Sequence, residues 1–433
     1  MNIIQIIPGS GGSFYCGNCL RDSKYFNALR AEGHQVTKIP MYLPLFADEH
    51  DISDVPIFYG AISTYLKQVF PVFRKAPKWF DNLLNSKPMM KLAASMAGST
   101  RASGLEDMTI SMLLGEQGKQ KEELEHMVSW IAEHCKPDII HLSNALLLGL
   151  AKRLKEKIGV PVVCSLQDED VWVDAVHPTF REKIWNLMHT RSEDVDMLVA
   201  VSDFFAEKMK KSMKLPEEKV QTIHLGVEVN DYTFISASKK PRNVGYISRM
   251  CYENGFDIVV DAFIELKKQP GFEDVKLMAT GGSTGDDSKF IKEQKRKIKK
   301  NNLNDFFEIL PEFEDEAVHE FFKNVALISV PVRIGEAFGI YLLESMASGV
   351  PVVQPALGAF PEIAELAGGG IIYQPNTPEK LSETWAKLLS DSEKLEQLSQ
   401  AGYSGVKEKF NIQNHAEEII TLYKSCVQYG QRQ

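Results

Sequence analysis

No stretch of this 433-residue chain approaches the roughly 18 consecutive apolar residues that a membrane-spanning helix needs. No basic-then-apolar leader stands at its start either, because Asn2 to Ile7 reads as a strand running into a glycine loop. A cytoplasmic protein without a transmembrane segment is therefore expected. Cysteine is scarce: the six, at 16, 19, 135, 164, 251 and 426, do not resemble a disulfide framework, and reduced thiols are the simpler expectation. A cationic surplus is missing too, since 49 Lys and Arg against 58 Asp and Glu leave a net charge of -9, which argues against nucleic acid as a partner. Cys16-Gly-Asn-Cys19 has no second Cys-x-x-Cys or His pair to complete a zinc site, so its one distinctive use would be thiol redox chemistry. What remains is ordinary for a globular protein, with 44% apolar and 25% charged residues and length for two or three domains at roughly 100–200 residues each.

The most informative stretch runs from Pro331 to Gln354. Before it, Ala326 to Val330 has the short apolar pattern of a buried parallel strand. After Gly335, the residues Phe338, Tyr341, Leu342, Ser345 and Met346 recur at helical spacing, and Gly349 with Pro351 ends the helix. A second buried strand, Val350 to Val353, follows. The unit is strand, loop, helix, strand, with Glu336 in the loop and Glu344 in the helix. Loops at strand carboxyl ends are where open α/β sheets bind ligands. Amides near Gly339 can face an anion while a carboxylate accepts from sugar hydroxyls, a combination that suits a nucleotide sugar. Taken as an isolated pair, the two glutamates would more simply be a helix-capping residue and a polar residue of an amphipathic helix.

The complete block Glu-Ala-Phe-Gly-x4-Glu-x-Met-Ala-x-Gly-x-Pro-Val resembles the E-x7-E signature of retaining glycosyltransferase family 4 (group 1). That resemblance implies an α/β GT-B fold of two facing Rossmann-like domains, with Glu336 toward the donor sugar and Glu344 on the nucleotide ribose. Ala337, Phe338 and Gly339 would complete the donor site. It also implies no bound metal and no cofactor beyond the nucleoside diphosphate sugar, which is the donor substrate. No Asp-x-Asp stands in a suitable place to hold a metal, and Asp168-Glu169-Asp170 is the nearest match.

In the first half, Asn2 to Ile7, a loop from Pro8 to Ser13, a helix from about Cys19 to Glu32 and a strand from His34 form a strand, glycine loop, helix, strand start. Gly11 and Gly12 either bind phosphate or make a tight turn; the family resemblance places them at the donor phosphates. From about 43 to 134 the pattern is helical and irregular, and is read as an insertion. Within it, residues 65–80 mix aromatics with Arg74, Lys75 and Lys78, a composition that suits either peripheral contact with an anionic membrane or lipid-linked acceptor, or plain aromatic packing under solvated lysines. Strands follow at Pro137 to His141 and Val160 to Leu166. After the latter, Gln167-Asp168-Glu169-Asp170 collects carboxylates that act on an acceptor hydroxyl or cap the next helix. Family members often carry His where Gln167 stands.

Ser236 to Arg242 is polar, with paired lysines and Pro241, and reads as the linker. The expected domains are 1–238, including a last helix from 413 that packs back on it, and 239–412 for the donor. Arg249 follows the strand Val244 to Ser248 and resembles the family's diphosphate arginine, whose guanidinium clamps phosphate bidentately. Five residues on, the family has lysine and this chain has Asn254. Gly281, after the strand Val275 to Thr280, would lie beside the nucleotide. The expected activity is sugar transfer from a nucleoside diphosphate sugar to the hydroxyl of a glycan, lipid-linked sugar or small molecule, with Glu336, Arg249 and Asp168 in catalytic roles. A nucleotide-sugar-binding protein without transfer activity, and a thiol oxidoreductase using Cys16 and Cys19, are the alternatives.

Overall fold

A computed structural model describes residues 1–8, 17–41, 58, 104–311 and 315–430, with the side chains of 17–23 outside that description. Two compact units divide them. One runs to His224 and resumes at Ala416; the other is Leu225–His415. Each is built on a six-stranded, wholly parallel sheet.

The first sheet has the order β2-β1-β3-β4-β5-β6, from β1 (Asn2–Ile7), β2 (Gln35–Pro40), β3 (Ile139–Leu142), β4 (Val162–Leu166), β5 (Met197–Ala200) and β6 (Val220–Thr222). The second has β12-β11-β10-β7-β8-β9, from β7 (Val244–Ile247), β8 (Leu277–Thr280), β9 (Phe307–Ile309), β10 (Leu327–Ile328), β11 (Val352–Pro355) and β12 (Gly370–Tyr373). All four residues of β3, β7, β8 and β11 are buried. Helices cover both faces of such strands, so every side chain meets apolar neighbours and the sequence needs no polar alternation. In the second sheet the order reverses between β7 and β10, which pair Leu327 with Val244 and Ile328 with Gly245. These are the two Rossmann-like halves of a GT-B fold.

Three expectations shift. The segment Ser236–Arg242 is no exposed linker. The Lys240 side chain is buried and its ammonium donates to the carbonyls of Phe322 and Ser348, each at 2.8 Å, while Ala237 N–H donates to Ser399 Oγ at 3.2 Å. Polar composition misled here because helix-end carbonyls lack partners within their own helices and accept from a buried cation. The chain passes into the second unit at Leu225, earlier than residue 239, because Val227 bridges to Asn411 and Tyr232 is buried against Glu344. Finally, the last part of the 43–134 region is integral to the first unit. Its helix Lys121–His134 buries Leu124, Met127, Val128 and Ile131 and leads into β3. Residues 42–57 and 59–103, and with them the 65–80 stretch, lie outside the described residues.

The closing helix Ile412–Gly430 belongs with the first unit from Ala416, where the Tyr423 hydroxyl and His141 Nδ1 form a buried hydrogen bond. Among the described residues no helix is long and apolar enough to cross a membrane, and Cys135, Cys164, Cys251 and Cys426 are unpaired.

Candidate active site

Where strand order reverses, the loops leaving two neighbouring strands diverge and open a crevice at their carboxyl ends. In the second unit those are the loops after β7 and β10. The first carries Arg249 and Asn254, and the second carries Glu336.

The loop after β7 is tied from within. The Tyr246 hydroxyl donates to Arg249 O at 2.8 Å, and Asn254 Nδ2 donates to Ser248 Oγ at 2.9 Å. Asn254 thus closes the loop rather than supplying the cation that the family's lysine would bring. At the loop's end Gly255 adopts φ +70° with its Cα so near Pro331 that a Cβ would lie 2.0 Å from the Pro331 carbonyl oxygen. Only glycine lets the two loops pack this closely. Arg333 fastens the same junction: it lies over the Tyr252 ring at 3.6 Å, its guanidinium donates to Asp257 at 3.0 and 2.8 Å, and its backbone N–H donates to Glu253 O at 3.0 Å. Arg249 is half-buried, and its Nε and Nη2 donate to the two carboxylate oxygens of buried Asp287 at 2.9 and 2.8 Å. Burial resists the charge on Asp287, but the Arg249 and Thr284 hydrogen bonds outweigh it and hold the carboxyl below the usual range.

The loop after β10 turns at Gly335, φ +94°, against a second turn at Gly358, φ +61°. A Cβ on Gly358 would stand 2.5 Å from both the N and the O of Glu336, so backbone rests on backbone. Ala359 N–H donates to Glu336 O at 3.0 Å. The Glu336 carboxylate reaches the helix start, where a Cβ on Gly339 would come within 3.1 Å of Oε2. Gly339, φ +84°, precedes the helix Ile340–Ala347, all eight of whose residues are buried. Ala337 and Phe338 are buried just before it, with the Phe338 ring edge-on to Phe410. One turn on, Glu344 is 3% exposed and its carboxylate accepts from the Tyr232 hydroxyl at 3.0 Å. Gly281, φ +112°, lies at the end of β8, where a Cβ would be 2.4 Å from Ser248 O. That glycine brings the β8 loop onto the Arg249 loop.

In the first unit, Asp168 follows β4 with φ +54°, a left-handed backbone that Asp tolerates better than most residues. It stands at the N-cap of the helix Glu169–Ala175 without making a side-chain cap bond, so the capping alternative falls for Asp168. Its two acidic neighbours point elsewhere. Glu169 is buried, with Oε1 accepting from Ala145 N–H at 2.7 Å and Oε2 from Gln167 N–H at 2.6 Å. Burial pushes its carboxyl up to about 8 despite these amides. Asp170 takes the Lys208 ammonium. The three carboxylates therefore do not converge. The Gln167 side chain is buried and donates to Ser143 O at 2.6 Å, while its Oε1 has no partner. Gly11, Gly12 and Cys16 lie outside the described residues, as does the Cys19 side chain.

Residues 230–405 match the family model for glycosyl transferases group 1, and residues 118–231 match that for glycosyltransferase family 4. The chain belongs to this glycosyltransferase family. Relatives point the same way. An uncharacterized glycosyltransferase of Methanocaldococcus jannaschii is 21% identical over 307 residues, 68% of this chain and 76% of its own. The lipopolysaccharide core biosynthesis mannosyltransferase LpsB of Rhizobium meliloti is 30% identical over 188 residues, 42% of this chain and 52% of its own. Among solved structures, HepE of Anabaena in complex with UDP superposes with a TM-score of 0.67 at 16% identity, covering 98% of this chain and 100% of that one. Sucrose-phosphate synthase of Thermosynechococcus elongatus gives 0.68 at 16% identity, covering 98% and 99%. At such identity the two structures establish the fold. The protein is a glycosyltransferase, and the binding-only and thiol-redox alternatives gain no support from these relatives.

Tyr232, Asp287 and Arg333 were not evident from sequence as site residues. Asp287 had a local signal, since Thr284 and Asp287 stand at capping-box spacing ahead of an amphipathic run. Tyr232 and Arg333 had none, because their partners are distant in sequence.

Proposed function

We propose that this glycosyltransferase moves a sugar from a nucleoside diphosphate sugar to an acceptor hydroxyl with retention of anomeric configuration. The observation that carries the reading is the junction of the β7 and β10 loops. There the Arg249 loop and the Glu336 loop pack backbone to backbone at the carboxyl ends of adjoining strands.

In this reading the transition state resembles an oxocarbenium ion, and negative charge grows on the departing β-phosphate. Arg249 and the amides around Phe338 and Gly339 would meet that charge electrostatically, in a site where preorganised donors need no rearrangement. The Gly11-Gly12 loop, outside the described residues, is assigned to the donor phosphates by the family resemblance alone. Glu336 orients the donor sugar, Glu344 holds the ribose, and Gly281 lets backbone approach the nucleotide. Asn254 contributes loop closure and no charge. Asp168 is assigned to the acceptor hydroxyl. No resident metal takes part. Relatives named for lipopolysaccharide core and colanic acid biosynthesis support a glycan acceptor. A lipid-linked acceptor, a cytoplasmic location and peripheral membrane contact through residues 65–80 belong to the same reading and rest on sequence composition alone.

The test is a thermal titration with UDP, GDP and ADP, in parallel on the wild type and Glu344→Ala. Ligand at a hundred times its dissociation constant adds about 2.7 kcal/mol to native stability. One nucleotide should raise the melting temperature of the wild type and not of the variant. Equal stabilisation of both proteins contradicts the ribose assignment, and no stabilisation by any nucleotide contradicts the donor class.

A further inference from the structure

We propose that Asp287 is a positioning residue that aims the Arg249 guanidinium at the donor diphosphate. The proposal rests on the reading of Arg249 given above.

Three observations carry it. First, the contact is two-pronged: Nε to Oδ2 at 2.9 Å and Nη2 to Oδ1 at 2.8 Å, the geometry that fixes a guanidinium in plane as well as in position. Second, Asp287 is itself held. Thr284 N–H and Thr284 Oγ both donate to Oδ2 at 2.7 Å, closing a capping box, and the side chain is 7% exposed. A carboxylate with both oxygens engaged and little solvent has few alternative rotamers, so it passes its own order to the arginine. Third, the loop Ser248–Gly255 contains one cation, Arg249, because Asn254 is neutral and bonded into the loop. With a single cation available on that loop, direction matters more than it would for a pair. Asp287 fixes the Nε edge, which orients the outer face of the guanidinium.

Charge counting makes the opposite prediction. An anion beside the phosphate-binding arginine should weaken diphosphate binding, and removing it should strengthen it. The sign of the effect therefore separates positioning from simple neutralisation.

The experiment is isothermal calorimetry on the full chain with UDP, GDP and ADP, each against its own monophosphate. The proteins are the wild type, Arg249→Ala, Asp287→Asn and the double variant. The ratio of diphosphate to monophosphate affinity reads the terminal phosphate contact, and a general loss of structure does not move it selectively. Asp287→Asn is expected to cut that ratio about tenfold, the scale of a hydrogen bond to a charged group, while leaving monophosphate affinity unchanged. In the Arg249→Ala background it should do nothing further. An unchanged or larger ratio in Asp287→Asn, or an additive loss in the double variant, overturns the proposal. If Arg249→Ala keeps the full ratio, the phosphate role of Arg249 has failed and the proposal falls with it; a wild type with no diphosphate preference has the same meaning. Should Asp287→Asn not fold, Asp287→Glu keeps the charge and displaces it by one methylene, and the same loss of ratio is expected.

Discussion

The Tyr232 hydroxyl donates to Oε1 of Glu344 at 3.0 Å, joining a residue near the start of the second unit to the helix that follows the Glu336 loop. Both side chains are buried. Burying a carboxylate costs stability unless donors replace the solvent, and Tyr232 is one such donor. Tyr232→Phe keeps the ring, which packs edge-on to His319, and removes the bond. We expect it to lower stability by about 1–2 kcal/mol in urea unfolding and to reduce the enzyme's preference for a ribonucleoside diphosphate over its 2′-deoxy form. Loss of stability with full ribose preference would show that the tyrosine serves the fold alone.

Gly358 and Gly368 give a controlled pair. Both have left-handed backbones, φ +61° and +75°, so alanine strains each. A Cβ on Gly358 collides with Glu336 N and O at 2.5 Å, whereas one on Gly368 meets its nearest atom, Ala401 Cβ, at 3.6 Å. Gly368→Ala should cost roughly 1 kcal/mol and leave kcat alone. Gly358→Ala should cost more and lower kcat, because Glu336 must move. Equal kinetics in the two variants would detach Glu336 from catalysis.

Glu169 sets a pH dependence of stability. Its folded carboxyl titrates near 8, above the ordinary value of 4.5, mainly through burial. Between those values the native state holds a proton that the unfolded chain has released, so this residue makes stability fall as pH rises from 4.5 to 8. Urea unfolding of Glu169→Gln across that window should show a shallower fall than the wild type. A wild-type slope unchanged in the variant would reject the assignment.

Lys240 acts with the opposite sign. Burial lowers its ammonium to about 7 from 10.5, so between those values the unfolded chain binds the proton that the native state lacks, and stability rises with pH. Lys240→Met removes this rise. It also leaves the Phe322 and Ser348 carbonyls short of a donor, for a loss on the order of 1–3 kcal/mol near pH 10. A variant with the wild-type slope above pH 8 would show that Lys240 is not the titrating group.

What was legible in the sequence was what local periodicity encodes. The strand, loop, helix and strand around Glu336 appear as read, with β10 shorter than its apolar run and β11 shifted to Val352–Pro355. Glu336 and Arg249 could be placed at strand ends because each directly follows an apolar run. The alternation of apolar residues at Leu124, Met127, Val128 and Ile131 was equally present, yet the irregular sequence before it concealed that this helix is a core crossover. Relations between distant residues left no such trace. Arg249 and Asp287 are 38 positions apart, and Tyr232 and Glu344 are 112 apart. Lys240 looked solvent-exposed because composition reports polarity, whereas its partners are carbonyls at two helix ends.

The central claim is retaining transfer from a nucleoside diphosphate sugar, and proton NMR of turnover tests it most directly. The enzyme is incubated with UDP-, GDP- and ADP-linked α-sugars, with an acceptor mixture or water as acceptor, and the anomeric signal of the first-formed product is followed alongside release of nucleoside diphosphate. The account predicts an α-configured first product from one donor, and a loss of most of that rate in Glu336→Gln. A β-configured first product, or full rate in Glu336→Gln, would contradict it.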